Sequence, residues 1–488
     1  MPALPECLAL QQMVAVDSTA NDSEGAPMLQ PMDTIYAKDV PAPAYHRCCK
    51  TRSWLALSAA VNLLAVAMVV WTVGDSRTET SALWSNGGPG SCPNDYAAPG
   101  HEAAPTSLNS ETIPLIFDAD FGSFMDDSFA LAYVLGSPEL RLDLALATGG
   151  PRPELRAAAL ARHLDEAGRG HVPIGLSPAV ATELGMGALL DWAAAYDISS
   201  YPAGLPVADG VAAAANIVRG HAAGDRQVTW MILGPSTAAA DFAARFPELV
   251  QHVRVVVMGA SICTGMDSPW KSVDEEGEGS PYPVAATNER QNVPAARAMI
   301  RAPWGGGPPL FTGIRATLGV KLDGDAYRRL RDASNDHAAY PALQPLFNSY
   351  LAWWQASFGM STTTSDGEVA STAMEANSVD PLAQSVVMFD VLAAYLALSQ
   401  RGLVVVTFAA DFTDDGHTAI SAAEATRQLP TGCNISKARV LPAGADRDQE
   451  LVDLPLVGIV VGWQTASQLQ LFKQELLSRL LRGGRACG

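Results

Sequence analysis

Residues 113–127 constrain this chain more than any other stretch. Ile113–Phe117 is a short apolar run, and Asp118, Asp120, Asp126 and Asp127 follow it within ten residues. A short apolar run bounded in this way predicts a buried strand. From Asp126 to Leu135 the apolar residues fall at helical spacing. Four carboxylates at one strand end repel one another, and a hard divalent cation with oxygen ligands is the natural neutraliser. Gly122 lets the loop turn tightly. Asp126 and Asp127 open the predicted helix, where the helix dipole favours negative charge. Ordinary capping of that kind accounts for one or two of the carboxylates, not for all four.

The same strand-then-helix order continues. Leu142–Ala147, Val172–Gly175, Val228–Leu233 and Val253–Met258 read as strands. Pro153–Ala167 reads as a helix with Ala and Leu inside and charges outside, and further helices fall near Ala208–His221 and around Ala238–Arg245. Alternation of this kind predicts an α/β fold, an open and mostly parallel sheet with helices on both faces. Such sheets bind ligands beyond the carboxyl ends of their strands, so the loops after Phe117, Leu233 and Met258 are the expected site. No internal repeat is visible. The chain has 488 residues, 48% of them hydrophobic, enough for a large core. Its formal net charge of −19, with no basic stripe, argues against nucleic acid as a partner.

Ahead of this domain, Trp54–Val73 carries no charge. A helix of that length spans about 30 Å, the thickness of a bilayer core. Residues 53–74 are therefore expected to form one transmembrane helix, with Trp54 and Trp71 near its interfaces. His46, Arg47, Lys50 and Arg52 precede it, and Asp75, Arg77 and Glu79 follow. The positive-inside rule then puts residues 1–52, a disordered tail, in the cytosol. Residues 75–110 read as a linker, and the domain at 111–488 would be lumenal or extracellular. A cleaved signal peptide normally begins nearer the N-terminus, and a buried helix would lie inside the domain. Cys48 and Cys49 stand beside the bilayer as candidate palmitoylation sites. Asn434 and Ser436 form a glycosylation triplet. The seven cysteines lack paired zinc-ligand spacing. Cys92, Cys263, Cys433 and Cys487 follow the apolar segment, where they are either disulfides or free thiols.

At the acidic cluster the sequence resembles the inosine-uridine preferring nucleoside hydrolases. Their hallmark is a strand, an Asp-x-Asp-x-Gly loop and an Asp-Asp pair, and Asp118–Asp127 is similar to a branch with two extra residues before the pair. Phe124 stands where that branch usually has another Asp. The resemblance continues in order through Gly234-Pro235-Ser236-Thr237, Met258-Gly259-Ala260, Asn288 with Pro294-Ala295-Ala296, and Phe389-Asp390-Val391-Leu392-Ala393. It covers roughly residues 111 to 425.

The resemblance implies calcium-dependent cleavage of the N-glycosidic bond of a ribonucleoside, as in nucleoside salvage. Calcium would be held by Asp120, Asp126, Asp127, Asp390 and the carbonyl of Thr237. Asp120 would also be the catalytic base, taking a proton from the attacking water. Asn288, Phe389 and Met258 would line the substrate pocket, and Asp118 would orient the metal ligands. Several family residues are replaced. Ala286 stands for a Glu, Asn292 for an Asp, Phe389 for a His, and Gly150 for an Asn or Asp. Trp353 and Trp354 lie in a helical stretch, 346–358, that would cap the pocket or simply pack.

Two rivals stand beside this. Phosphatases with an Asp nucleophile share the Phe-Asp-x-Asp opening, but they need Thr or Val where this chain has Gly122. The lost sugar contacts favour a non-catalytic, calcium-bound, membrane-tethered domain that binds ribosides or a protein partner. The intact carboxylates favour catalysis. Oligomeric state is left open, a homo-oligomer included.

Overall fold

The computed structural model describes residues 112–181, 188–263, 286–336, 339–340, 343, 346–347, 350, 384–421, 424–429, 439–440 and 454–484. All of them belong to the unit Gly87–Gly488. The expected tail, transmembrane segment and linker lie outside the described residues, as do Trp353, Trp354 and the Asn434 triplet. Among the described residues, no helix is long and apolar enough to cross a membrane.

The chain begins with β1 (Ile113–Ala119), α1 (Asp126–Leu135), β2 (Leu140–Ala147), α2 (Pro153–Glu166) and β3 (Ile174–Leu176). Then come α3 (Ala188–Ala193), α4 (Gly210–Ala222), β4 (Val228–Ile232), α5 (Thr237–Arg245) and β5 (Val253–Val257). After these stand α6 (Thr287–Gln291), α7 (Val293–Arg301), β6 (Leu310–Phe311), α8 (Ile314–Thr317) and α9 (Gly324–Ser334). Last are α10 (Val391–Leu398), β7 (Leu403–Phe412), β8 (Thr418–Ile420), β9 (Arg439–Val440), β10 (Leu456–Trp463) and α11 (Ala466–Gly483).

The strands form one sheet in the order β3-β2-β1-β4-β5-β6-β10-β7-β8-β9. From β3 to β10 neighbours run parallel, whereas β7 pairs antiparallel with both β10 and β8. The parallel strands are mostly apolar because helices cover both of their faces, although β2 carries Arg141 and Asp143 and β5 carries Arg254. Leu115, Phe117 and Ala119 of β1 join a core with Phe129 of α1, Leu392 of α10 and Leu476 of α11. Ile116 points the other way, into a core with Trp230 of β4, Val218 of α4, Phe242 of α5 and Met299 of α7. This is the period-2 alternation of a strand.

The topology locates the site. From β1 the chain moves outward through β2 and β3, then returns to the other flank of β1 and moves away through β4, β5 and β6. The crevice at the carboxyl ends of β1 and β4 is thus the point where strand order reverses, the usual ligand position in such sheets. α1 begins there and is packed by α10 and α11. α1 and α11 meet through glycines. A Cβ at Gly136 would lie 1.9 Å from the Arg479 carbonyl oxygen, and one at Gly483 would lie 2.4 Å from that of Ala132.

One expectation about α2 needs correction. Its charges were expected outside, yet Arg156 is 1% exposed and His163 is 2% exposed. His163 sets an edge against the Phe121 ring, and burial pushes its imidazole down to about 4. Arg156 turns inward because its acceptors are loop carbonyls beneath the site, described next.

Candidate active site

β1 delivers the acidic loop. Asp118 is still within the strand, in register with Leu146 and Ile232. The loop turns at Gly122, whose φ of 99° is costly for any residue with a Cβ. α1 then opens on Asp126 and Asp127, with no side-chain cap from Met125. Asp390 stands at the N-terminal end of α10 and likewise offers no cap bond. All five carboxylates are buried.

Asp126, Asp127 and Asp390 each place one carboxylate oxygen within 4.8 Å of the others. Two helix N-termini, far apart in sequence, therefore converge on one point. Asp127 and Asp390 hydrogen-bond each other, and Asp127 Oδ1 is buried with no partner. Burial first, then the charge of Asp120, lifts the Asp126 carboxyl to about 7. Burial and the mutual repulsion of the group hold Asp127 and Asp390 well above the usual carboxylate range. A trio of this kind must hold either protons or a cation. Its all-oxygen, all-carboxylate character and the orphaned Asp127 oxygen fit a hard divalent cation such as calcium.

Asp120 stands beside the trio rather than within it. Its Oδ2 accepts a hydrogen bond from Gln291 Nε2 at 3.1 Å, and its carboxylate also accepts from the Ser123 side chain. Burial raises its proton affinity and the Arg156 guanidinium opposes that. Gly149 packs against it, since a Cβ there would lie 2.6 Å from the Asp120 Cβ. Asp118 is fixed by Trp230, whose Nε1 donates to Oδ2 at 2.9 Å while Oδ1 has no partner. Burial holds Asp118 up at about 7.

The other expected residues are distributed as follows. Thr237 is in the first turn of α5, and its hydroxyl accepts from Asn292 Nδ2 at 3.1 Å. Met258 caps the end of β5 and is partly exposed. Asn288 Nδ2 donates to the Leu233 carbonyl at 2.7 Å and to the Met258 carbonyl at 3.1 Å. Its amide hydrogens are thus spent on joining two strand ends. Phe389 is partly exposed beside Asp390.

Sequence reasoning missed Arg156, Gln291, Trp230 and Glu289. Glu289 adjoins the singled-out Asn288 and is buried, and burial pushes it up to about 7. Its Oε1 accepts from the Ala260 N–H at 3.2 Å, and Oε2 has no partner. The block that lacks a carboxylate at Ala286 therefore carries one three residues later. Gln291, one residue before Asn292, was within reach of the same reading. Cys263 is disulfide-bonded, and its partner lies outside the described residues.

A family model described as inosine-uridine preferring nucleoside hydrolase matches residues 115–447. No curated protein matches the sequence. Among solved structures, the chain is similar to a purine-preferring ribonucleoside hydrolase from Gardnerella vaginalis, with a TM-score of 0.50 and 16% identity over 76% of this chain and 99% of that one. It is also similar to an inosine-guanosine nucleoside hydrolase, with a TM-score of 0.50 and 12% identity over 75% of this chain and 98% of that one. At these identities the likeness is one of fold.

Proposed function

The chain belongs to the inosine-uridine preferring nucleoside hydrolase family, and from that membership we propose that it hydrolyses the N-glycosidic bond of a ribonucleoside with calcium as its cofactor. The observation that carries the proposal is the convergence of Asp126, Asp127 and Asp390 beside Asp120 at the sheet's switch point.

Calcium would be held by Asp126, Asp127 and Asp390, with Asp120 and the Thr237 carbonyl completing the set. Once bound, it would neutralise the carboxylates and act as a hard Lewis acid toward the ribose hydroxyls and water. Asp120 is the base. Gln291 and Ser123 fix its carboxylate, and Gly149 excludes bulk beside it. It takes one proton as the water oxygen bonds to the anomeric carbon, and the C–N bond breaks with its electron pair leaving on the base. The leaving nitrogen is protonated from solvent, giving free ribose and the nucleobase. Positive charge develops on the sugar in this step, and the buried carboxylates stabilise it. Asn288 Oδ1 accepts from a sugar hydroxyl, and Phe389 and Met258 border the base. Asp118, held by Trp230, keeps the end of β1 in place.

Two features favour the non-catalytic riboside-binding alternative: the committed amide of Asn288 and the Phe at 389. Reducing-sugar release from a nucleoside panel by the full-length chain, with and without calcium, separates the readings. Release that needs calcium supports the hydrolase. Calcium binding without release from any nucleoside supports the alternative.

We also propose that residues 53–74 anchor the protein with the hydrolase domain lumenal or extracellular. The disulfide at Cys263 suits that oxidising side. Protease added to sealed vesicles from the cytosolic face should leave the domain intact, and digestion would refute the orientation.

A further inference from the structure

One buried cation lies beneath the acidic loop. Arg156, in the first turns of α2, donates from Nε to the Gly149 carbonyl at 2.9 Å. Its Nη1 donates to the Asp120 carbonyl and to Ser123 Oγ at 2.8 Å, with a longer contact to the Phe121 carbonyl at 3.3 Å. The Ser123 side chain in turn hydrogen-bonds the Asp120 carboxylate. Gly149, at φ 81°, sits against the Asp120 Cβ from the other side. A single guanidinium thus ties together the two loops that enclose Asp120, the loop after β1 and the loop after β2. It reaches Asp120 twice, at the backbone directly and at the carboxylate through Ser123.

We infer that Arg156 is a positioning residue: its fork sets the conformation of the Asp120–Ser123 loop and so aims the Asp120 carboxylate at the carboxylate trio. The inference deepens the proposed hydrolase reading and rests on it for its catalytic consequence only. A guanidinium supplies several N–H vectors in one rigid plane, which is what bridging Gly149, Asp120 and Ser123 at once requires. A lysine ammonium would keep the charge and lose the span.

The charge and the fork make opposite predictions. A cation beside the trio repels calcium, so if Arg156 acts by charge alone, removing it tightens calcium binding. If Arg156 acts by holding the loop, removing it weakens binding, even when lysine preserves the charge.

The test uses the full-length chain and the variants Arg156→Lys, Arg156→Met and Ser123→Ala, each checked by circular dichroism. Calcium affinity is read by titration calorimetry, and loop order by hydrogen–deuterium exchange of the peptide spanning 118–128. Arg156→Lys and Arg156→Met should each weaken calcium binding about tenfold to a hundredfold, the usual effect of losing a residue that orients metal ligands. Ser123→Ala should weaken it by a smaller factor. Exchange in the 118–128 peptide should accelerate in both Arg156 variants, and kcat should fall more than KM rises. Wild-type calcium affinity in Arg156→Lys, or tighter binding in Arg156→Met, overturns the inference. If Arg156→Met does not fold, Arg156→Lys and Ser123→Ala decide. If the wild-type chain binds no calcium, the cofactor proposal fails on its own, and unchanged exchange in Arg156→Lys then refutes the positioning role independently.

Discussion

Acid should strip calcium from the site, and the structure sets a minimum for the effect. Asp126 is buried, and burial with the neighbouring charge of Asp120 lifts its carboxyl from 3.8 to about 7. A calcium ligand must be ionised, so a proton on Asp126 competes with the ion. Because the folded value lies above the usual one, the cation-free protein keeps this proton below pH 7 and releases it above. Between pH 7.5 and pH 5.5 the ionised fraction of such a group falls from about three quarters to about 3%, so this carboxyl alone lowers calcium affinity roughly 25-fold, about 2 kcal/mol. Asp127 and Asp390 are also held well above the usual carboxylate range by burial and mutual repulsion, and their protons add to the loss. Calorimetric titration of the full-length chain at pH 7.5, 6.5 and 5.5 measures it. Repeating each titration in buffers of different ionisation enthalpy counts the protons released. Affinity constant within twofold across this range, or binding without proton release at pH 6.5, would refute the trio as the calcium site.

Asp120→Ala should lower sugar release by about 10²- to 10⁴-fold, the typical contribution of a general base, while circular dichroism stays unchanged; undiminished turnover would remove Asp120 from the mechanism. Glu289 has a folded value of about 7 against 4.5, so wild-type stability falls as pH rises from 4.5 to 7. Glu289→Gln escapes that loss, matching wild type at pH 5 in thermal melts and exceeding it at pH 8 by up to about 3 kcal/mol. A smaller difference at pH 8 than at pH 5 contradicts this. Trp230→Phe leaves the buried Asp118 without its indole donor and should cost about 1–3 kcal/mol in urea unfolding; an unmoved midpoint would show that this hydrogen bond contributes nothing.

The strand–loop–helix at 113–135 was legible because its signals are local. An apolar run, a glycine and helical spacing lie within one short window, and α1 spans the expected Asp126–Leu135. The strands from β1 to β5 were legible for the same reason, each being a short, mostly apolar segment. β6 has only two residues, Leu310 and Phe311, too few for any period to register. The antiparallel pairing of β7 with β10 is a property of two segments far apart, and neither segment announces it. Arg156 was misplaced because most of its acceptors are backbone carbonyls, which leave no trace in a sequence. The Trp230–Asp118 bond depends on the register of β1 against β4, which apolar runs alone do not specify.

The convergence of α1 and α10 also bears on how the protein is made. Ribosomes deliver Asp118, Asp120, Asp126 and Asp127 early and Asp390 late, and α11, which locks over α1 through Gly136 and Gly483, comes last of the described elements. Until α10 and α11 emerge, one side of α1 lacks its cover and the carboxylates lack their fifth member. Contacts that span so much chain form slowly, because the intervening loop must close before they stabilise anything. A nascent or truncated chain that lacks α10 and α11 therefore lacks the assembled carboxylate cluster.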